Sequence, residues 1–320
     1  MPQSLLRLVV VIAAAVSSFT ALAQAYPTRP VRLVLPAAGG GTDVLSRLIA
    51  RQLSEALGES VIVDNRPAVD GIVGTEIVAR AAPDGHTLLI VSSSHAINVA
   101  LGRKLPYDTI KDFVPITQTT SQHLLLVVHP SVPVKTVREL VEYLRARPGK
   151  LNYASSSNGT ALPMELFKTM TATHVQHVPY KGSAQVIAAL LSGEVQMSMA
   201  ATVAAVPHVK GGKLRALGIG ALTRPAFLPD VPTMAEAGVP GYQAEIWTGM
   251  FAPAKTSRSI IERLNKEVVH ILHAPDFRER VGSLGADVVG NTPEEWGKFV
   301  LSEIEKWAKI AKVAGFKSDQ

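Results

Sequence analysis

Two loops in this sequence place hydrogen-bond donors directly before a helix. The first, GGGT at residues 39–42, follows the β-rich run VRLVLP, and the second, SSSNGT at residues 155–160, follows the run LNYA. Glycine lets a backbone approach a ligand without a Cβ atom in the way, and the first turn of a helix offers unpaired N–H groups and a partial positive charge. The pattern predicts an anion site. A tight turn capped by Thr42 or Asp43 is the alternative for the first loop.

A third donor-rich run, Ser92 to Ser94, follows the strand-like run HTLLIV. A hydrogen bond to a charged group contributes about 1.5–3 kcal/mol, and a micromolar ligand needs about 8 kcal/mol. About three to five donors from these loops therefore suffice to hold one carboxylate, and no arginine is required.

Other chemistries lack a matching pattern. The chain has no GxGxxG or GK[ST] motif and no cysteine. The pairs His174/His177 and His270/His273 have no carboxylate in a metal-ligating pattern, so neither a metal site nor a cofactor is expected. His95 follows the three serines without a G-x-S-x-G elbow, and a satisfied loop histidine is its expected role. The net charge of +6 is dispersed, which favours small anions over nucleic acid.

The elements that must position these loops alternate between strands and helices. The runs VRLVLP, SVIVDNR and HTLLIVSSS are separated by helix-like segments at 43–57 and 74–82, which predicts a β-α-β-α-β unit with a parallel sheet. A second α/β set begins near His123. A proline- and glycine-rich connection, FLPDVPTMAEAGVPGY, and a helical C-terminal segment with a capping box at Thr292 and Glu295 follow it.

The helical segment after Pro253 has no strands of its own and must pack on an existing sheet. If it returns to the first sheet, the chain crosses between two lobes near 118–124 and again near 244–251. Two crossings form a hinge that lets the lobes close on a ligand. The sequence therefore predicts a two-lobed α/β protein, with residues 26–122 and 250–320 in lobe 1 and residues 123–249 in lobe 2.

Residues 1–25 have the pattern of a secretory signal peptide. Arg7 precedes an apolar stretch, and the segment closes on Ala23-Gln24-Ala25, a small-residue cleavage pattern. A membrane anchor is the alternative, but the apolar run is shorter than the roughly 20 residues that a span needs. We expect an exported monomer, cleaved near Ala25.

Nine stretches, in order along the mature chain, carry a resemblance to a known family: YPTRPVRLVLPAAGGGTDV, VDNRP, ARAAPDGHTLL, KLPYDTIKDFVPI, PGKLNYASSSNGT, HVPYKGSA, PHVKGGKLRALG, PDVPTMAEAGVPGY and PAKTSRSIIERLN. The chain resembles the Bug receptors, the extracytoplasmic solute receptors of tripartite tricarboxylate transporters. The resemblance implies a type II periplasmic-binding-protein fold, a small carboxylate ligand, and delivery to the membrane subunits of such a transporter. A periplasmic enzyme on the same fold and a receptor that feeds a signalling system are the alternatives.

The resemblance also indicates which residues bind the ligand. In that family, the loops matching 36–43 and 155–160 hold a ligand carboxylate from the two lobes. This assigns the role to Gly39, Gly40, Gly41, Thr42, Ser155, Asn158, Gly159 and Thr160, and Ala38 and Ser93 beside them complete the predicted set of donor-loop residues.

The remaining predicted site residues are apolar. Many family members carry an acidic or amide residue near the position of Ala200. With Ala200 and Met199 there, this wall is apolar and disfavours an amino acid, whose ammonium would be buried without a partner. Ala37 stands where members commonly carry an aromatic residue, which leaves space in the first loop. Trp247, at the second crossing, is expected either to pack in the hinge or to stack on a ligand ring.

Overall fold

The computed structural model describes residues 26–314, and the predicted signal peptide lies outside the described residues. The strands are β1 (Val31–Leu35), β2 (Val61–Asn65), β3 (Thr87–Ser92), β4 (Phe113–Val128), β5 (Asn152–Ser155), β6 (Gln176–Pro179), β7 (Met197–Ala201), β8 (Arg215–Ile219), β9 (Glu245–Pro253) and β10 (Ala286–Val288). The helices are α1 (Gly40–Leu57), α2 (Ile72–Ala79), α3 (Ser94–Ala100), α4 (Val137–Ala146), α5 (Asn158–Thr171), α6 (Ser183–Ser192), α7 (Thr202–Lys210), α8 (Arg258–His273), α9 (Pro275–Ser283) and α10 (Pro293–Ala314).

The first sheet contains the parallel unit that the sequence predicts. β1 pairs in parallel with both β2 and β3, and the sheet continues through the antiparallel strands β9, β4 and β10. Both faces of β1 are buried: Leu33 packs with α1 and α8 on one face, and Val34 packs with α2 and α10 on the other. Burial on both faces explains why this strand reads as a continuous apolar run rather than as an alternating one.

One long strand belongs to both sheets. β4 pairs with β9 from Phe113 to His123 and with β7 and β8 from Leu124 to Val128. β5 and β6 complete the second sheet, and the chain returns to the first sheet through β9. β9 already pairs with β4 at Glu245, so residues 245–249 lie in the first sheet. The lobe boundaries at 122 and 250 stay a prediction.

The C-terminal helix α10 packs on the first sheet, as expected for a segment without strands. Its start carries the predicted capping box, because Thr292 Oγ1 accepts from the Glu295 N–H at 3.2 Å and the Glu295 carboxylate accepts from the Thr292 N–H at 2.9 Å. Trp296 on this helix is fully buried against Gly249 of β9, where a Cβ atom would overlap the indole ring.

Several element boundaries differ from the sequence prediction. α1 begins at Gly40, three residues earlier than expected, and α2 spans 72–79 rather than 74–82. The serine run, expected to be a loop, joins a strand to a helix, because Ser92 ends β3 and Ser94 begins α3. The proline-rich stretch at 227–242 contains no helix, and its one bridge joins Thr233 to Ile219. No helix between residues 26 and 314 is long and apolar enough to cross a membrane.

Candidate functional site

A cavity of about 90 Å³ lies between the two lobes. Loops at the ends of β1 and β3 form the wall on the side of the first sheet, and the loops before α5 and α6 form the opposite wall. This position, beyond the carboxyl ends of parallel strands, is where ligands bind in open α/β sheets. Among the lining residues are Ala38, Gly39, Gly41, Thr42, Asp70, Thr75, Ser92, Ser94, His95, Ser156, Ser157, Thr160, Lys181, Ser183 and Ala201.

The glycine loop gives the cavity a wall of bare backbone. Gly39 and Gly40 have φ of +67° and +76°, a region that L-residues with a side chain rarely adopt. The Gly39 N–H donates to Asp43 Oδ2 at 3.3 Å, so the carboxylate of the first helical turn stabilises the helix start. Asp43 also lies 3.0 Å from Arg47. The aspartate therefore has a structural role, as the sequence indicates.

Gly40 has a different role from the one assigned to it. It does not line the cavity, and a Cβ atom there would lie 2.6 Å from the Cβ of Ser183 at the start of α6. The missing side chain lets the two lobes approach. Gly41 does line the cavity, and a Cβ there would overlap the Gln122 side chain and lie 2.9 Å from Val203.

In the second loop, the first lobe occupies two of the donors that the sequence assigned to a ligand. The Asn158 N–H donates to Asp70 Oδ1 at 2.8 Å, and the Gly159 N–H donates to Ser94 Oγ at 3.3 Å. Ser155 lies outside the cavity wall, with its hydroxyl 2.7 Å from Nε2 of His177. In this structure, the named groups of Asn158, Gly159 and Ser155 bond to other parts of the protein, and their role in ligand binding stays a prediction. Thr160 lines the cavity, together with the unassigned residues Ser156 and Ser157, although its hydroxyl donates to the Ser157 carbonyl at 3.1 Å.

Sequence reasoning missed Asp70, which joins the lobes. Its carboxylate receives the Asn158 N–H and pairs with Arg103 at 2.8 Å, and its carbonyl accepts from the Asn98 side chain at 3.0 Å. The backbone of Asp70 is left-handed, with φ of 49°. An aspartate before a glycine in a loop reads only as a turn, because its partners lie 28 to 88 positions away.

The serine run also contributes differently from the prediction. Ser92 and Ser94 line the cavity, whereas Ser93 is fully buried beneath the Gly159 backbone, with its Oγ 2.9 Å from where a Cβ on Gly159 would lie. Ser93 is therefore a packing residue. Ser92 ends β3 and Ser94 begins α3, and that helix start was not predicted.

The apolar residues assigned to the site lie beside it or outside it. Met199 and Ala200 line a smaller adjoining cavity of about 20 Å³, and Ala201 lies in the walls of both. Trp247 is fully buried, its indole N–H donates to Glu303 at 2.9 Å, and its ring packs edge-on against Trp296. The stacking role for Trp247 is wrong, because the ring belongs to the core of the first lobe.

The charges in the cavity wall belong to Asp70 and Lys181. Arg103 pairs with one Asp70 oxygen and offsets its charge, and a backbone N–H donates to the other oxygen. Lys181 is exposed at the rim, and no ion pair joins its ammonium to another side chain within residues 26–314. The available charge in the cavity is positive. No group of three or more metal-ligating side chains occurs in the described part of the chain.

His95 on α3 is the most deeply buried ionisable side chain of the cavity wall. It is 3% exposed, and neither ring nitrogen has a hydrogen-bond partner among the described residues. Its ring packs against Tyr107, Phe113 and Phe251. Burial lowers the pKa of His95 to about 4, so the imidazole is neutral at pH 7. The sequence predicted a loop histidine with hydrogen-bonded nitrogens, whereas His95 is a buried helix residue whose nitrogens have no partner among the described residues.

Two α/β lobes joined by strands that cross between them, with a donor-lined cavity in the cleft, are the architecture of the type II periplasmic solute-binding proteins. Comparison with known proteins narrows this class. Residues 45–316 match the family model described as "Tripartite tricarboxylate transporter family receptor". The chain belongs to this receptor family.

Individual relatives agree with the family assignment. The protein BugT of Bordetella pertussis is 36% identical over 300 residues, which cover 92% of each chain. Among solved structures, "R. palustris Rpa4515 with adipate" is 38% identical with a TM-score of 0.89, over 91% of this chain and 98% of that one. "MatC (Rpa3494) from Rhodopseudomonas palustris with bound malate" is 35% identical with a TM-score of 0.85, over 89% of this chain and 99% of that one.

Proposed function

We propose that this chain captures a small carboxylate between its two lobes in the periplasm and delivers it to the membrane subunits of a tripartite tricarboxylate-type transporter. The relatives Rpa4515 and MatC are described with adipate and with malate, both dicarboxylates, which supports a carboxylate ligand for this chain. The chain acts as an exported monomer after removal of its signal peptide.

The observation that carries the proposal is the composition of the cavity wall. Eight hydroxyl-bearing residues from both lobes line a small space whose available charge is the Lys181 ammonium: Thr42, Thr75, Ser92, Ser94, Ser156, Ser157, Thr160 and Ser183. A hydroxyl group can rotate to direct its O–H at a carboxylate oxygen, and each hydrogen bond to a charged group contributes about 1.5–3 kcal/mol. Ala38, Gly39 and Gly41 provide backbone close to the same space.

Closure of the two lobes on the ligand follows from the crossings in β4 and β9, which act as the hinge between residues 26–122 with 250–320 and residues 123–249. The contacts of Asp70 and Ser94 with the start of α5 join the lobes in the closed form. An apolar cluster that includes Leu162 of α5 and Trp307 of α10 supports them. Ligand bound in the cleft adds contacts to both lobes at once and so stabilises this form.

Binding without catalysis is the proposed mode. Ser155 and His177 form a serine–histidine pair, but Ser155 does not line the cavity. At the cavity itself, neither nitrogen of His95 contacts a hydroxyl among the described residues. A nucleophile activated by a base would need such a contact, so no residue pattern favours the enzyme alternative.

A thermal-shift screen of mono-, di- and aromatic carboxylates, followed by calorimetric titration of the hits, tests the proposal. A bound carboxylate raises the melting temperature by mass action, and mass spectrometry of the recovered ligand must show it unchanged. Matched amino acids such as aspartate against succinate serve as the control for charge. Conversion of the ligand would support the enzyme alternative, and the absence of binding by any carboxylate would overturn the proposal.

A further inference from the structure

The smaller cavity beside the interlobe cavity is a feature that the proposed function leaves without a role. It lies within the second lobe, enclosed by β7, by α6 and by the starts of α5 and α7. Its volume of about 20 Å³ exceeds the roughly 10–15 Å³ that one water molecule needs. Most of its wall is carbon, contributed by six apolar residues: Val186, Ile187, Met199, Ala200, Ala201 and Ala204.

The hydroxyl groups in the wall of the small cavity already have partners in the protein. Ser198 Oγ donates to a backbone carbonyl of β5 at 2.8 Å, and Thr160 Oγ1 donates to a backbone carbonyl three residues earlier at 3.1 Å. The hydroxyls of Ser156 and Ser183 lie 3.2 Å apart and bond to each other. A buried water molecule makes about two to four hydrogen bonds, so this wall suits an apolar group better than a water molecule.

The small cavity adjoins the place proposed for the ligand carboxylate. Ser156, Thr160, Ser183 and Ala201 line both cavities, and the first two belong to the donor loop at the start of α5. The bond between the two serines uses one of their two hydrogens, so the other O–H can donate to a carboxylate in the larger cavity. The carbon atom next to that carboxylate then lies beside the small cavity.

We propose that the small cavity is a subsite for a short alkyl branch of the ligand, carried by the carbon atom next to the bound carboxylate. This subsite deepens the proposed carboxylate-binding function and rests on it. The volume of about 20 Å³ accepts a group the size of one methyl and is too small for a ring. Burial of one methyl group increases affinity about 3- to 5-fold.

Calorimetric titration of wild type with succinate and with each enantiomer of methylsuccinate tests the subsite. The enantiomers have the same charge and the same apolar area, and they differ only in the direction of the methyl group. A cavity in one wall accepts the methyl group of one enantiomer. We expect that enantiomer to bind about 3- to 5-fold more tightly than succinate, and the other to bind no more tightly than succinate. Glutarate and the enantiomers of 2-methylglutarate provide a second set.

Three variants connect this preference to the cavity. Ala204→Val adds two methyl groups to the wall and should bring the ratio of affinities for the two enantiomers close to one. Ala188→Val is the matched control, because Ala188 is exposed on α6 and lines neither cavity, and the ratio should stay as in wild type. Ile187→Val removes one methyl group from the wall and should increase the affinity for ethylsuccinate relative to methylsuccinate several-fold.

The outcomes separate the subsite from the proposed function. Equal affinity of wild type for the two enantiomers, or binding of straight-chain acids alone, overturns the subsite and leaves the carboxylate receptor intact. A ratio that stays as in wild type in folded Ala204→Val also overturns it. Should Ala204→Val not fold, Ile187→Val decides, because an unchanged ratio of ethylsuccinate to methylsuccinate affinity contradicts the subsite. If no carboxylate of the screen binds wild type, the proposed function itself fails.

Discussion

Replacing Asp70 with asparagine is expected to weaken ligand binding, because Asp70 links the two lobes. Its Oδ1 accepts the Asn158 N–H at 2.8 Å, across the cleft, while Oδ2 pairs with Arg103. Asparagine keeps the size and one acceptor oxygen but removes the charge. A hydrogen bond to a charged group contributes about 1.5–3 kcal/mol and a neutral one about 0.5–1.5 kcal/mol. The closed form therefore loses about 1–1.5 kcal/mol, or about tenfold in affinity.

The same change also affects global stability, and this effect has to be separated from closure. The Arg103 side chain is 16% exposed and would lose its carboxylate partner. Removing one member of a buried ion pair costs about 3–5 kcal/mol, and the partial exposure of Arg103 places the loss at the lower end of this range. The double variant Asp70→Asn with Arg103→Met removes both charges. It should recover much of the stability but not the affinity.

The assay combines calorimetric titration, thermal melts and small-angle scattering with and without ligand. Wild type should contract when it binds ligand, and Asp70→Asn should need about tenfold more ligand for the same contraction. Asp64→Asn is the matched control, because Asp64 pairs with Arg32 and Arg66 and does not line the cavity. If Asp70→Asn binds ligand with wild-type affinity, Asp70 does not stabilise the closed form. If the double variant recovers full affinity, the weaker binding of Asp70→Asn comes from the unpaired Arg103 rather than from the lost contact between the lobes.

Three further predictions concern single residues. Gly40→Val should abolish binding because its side chain meets Ser183 of the other lobe, whereas Gly58→Val, with a similar φ of +73° and open space, should lose comparable stability and bind normally in the same titration. Lys181→Met should weaken dicarboxylate binding several-fold at low salt and less at high salt, when titrated at both ionic strengths. His95 should lower the stability of the protein in acid, because burial lowers its pKa in the folded protein to about 4. As the pH falls below about 6.5, the unfolded chain binds the proton and the folded chain does not, so the free energy of unfolding declines by about 3 kcal/mol down to about pH 4. Denaturant melts of His95→Phe should lack this part of the decline, and identical pH profiles would contradict the buried neutral imidazole.

Local pattern was enough to predict the architecture. The alternation of apolar runs with helix-like segments predicted the parallel unit β1–β3, and the predicted capping box at Thr292 is present, with a side-chain oxygen that accepts the N–H three residues on. Both patterns depend on residues within one helical turn or one strand of each other, so they can be recognised without knowing the tertiary structure. The stretches shared with the receptor family likewise indicated the class that the family comparison confirms.

The cavity wall was predicted only as a set of loops, and its individual members were not. Within the second loop, Thr160 lines the cavity while Asn158 and Gly159 bond to the first lobe. The sequence identifies the donor groups but not the distant acceptors that bind them in the fold. The Asp70 carboxylate, which accepts the Asn158 N–H, lies 88 positions away along the chain. The sequence left two roles open for Trp247 for the same reason, since its partner Glu303 lies 56 positions along the chain on α10.

The sequence by itself determined the α/β elements, the donor-rich loops at helix starts and the resemblance to a receptor family, because each depends on neighbouring residues. Only the tertiary structure decided which donors remain for a ligand, that Asp70 joins the lobes, and that His95 lies buried with both nitrogens unpaired among the described residues. Those outcomes depend on which distant side chains meet when the two sheets pack. Burial and hydrogen-bond partnership are properties of that packing, and no local pattern in the chain encodes them.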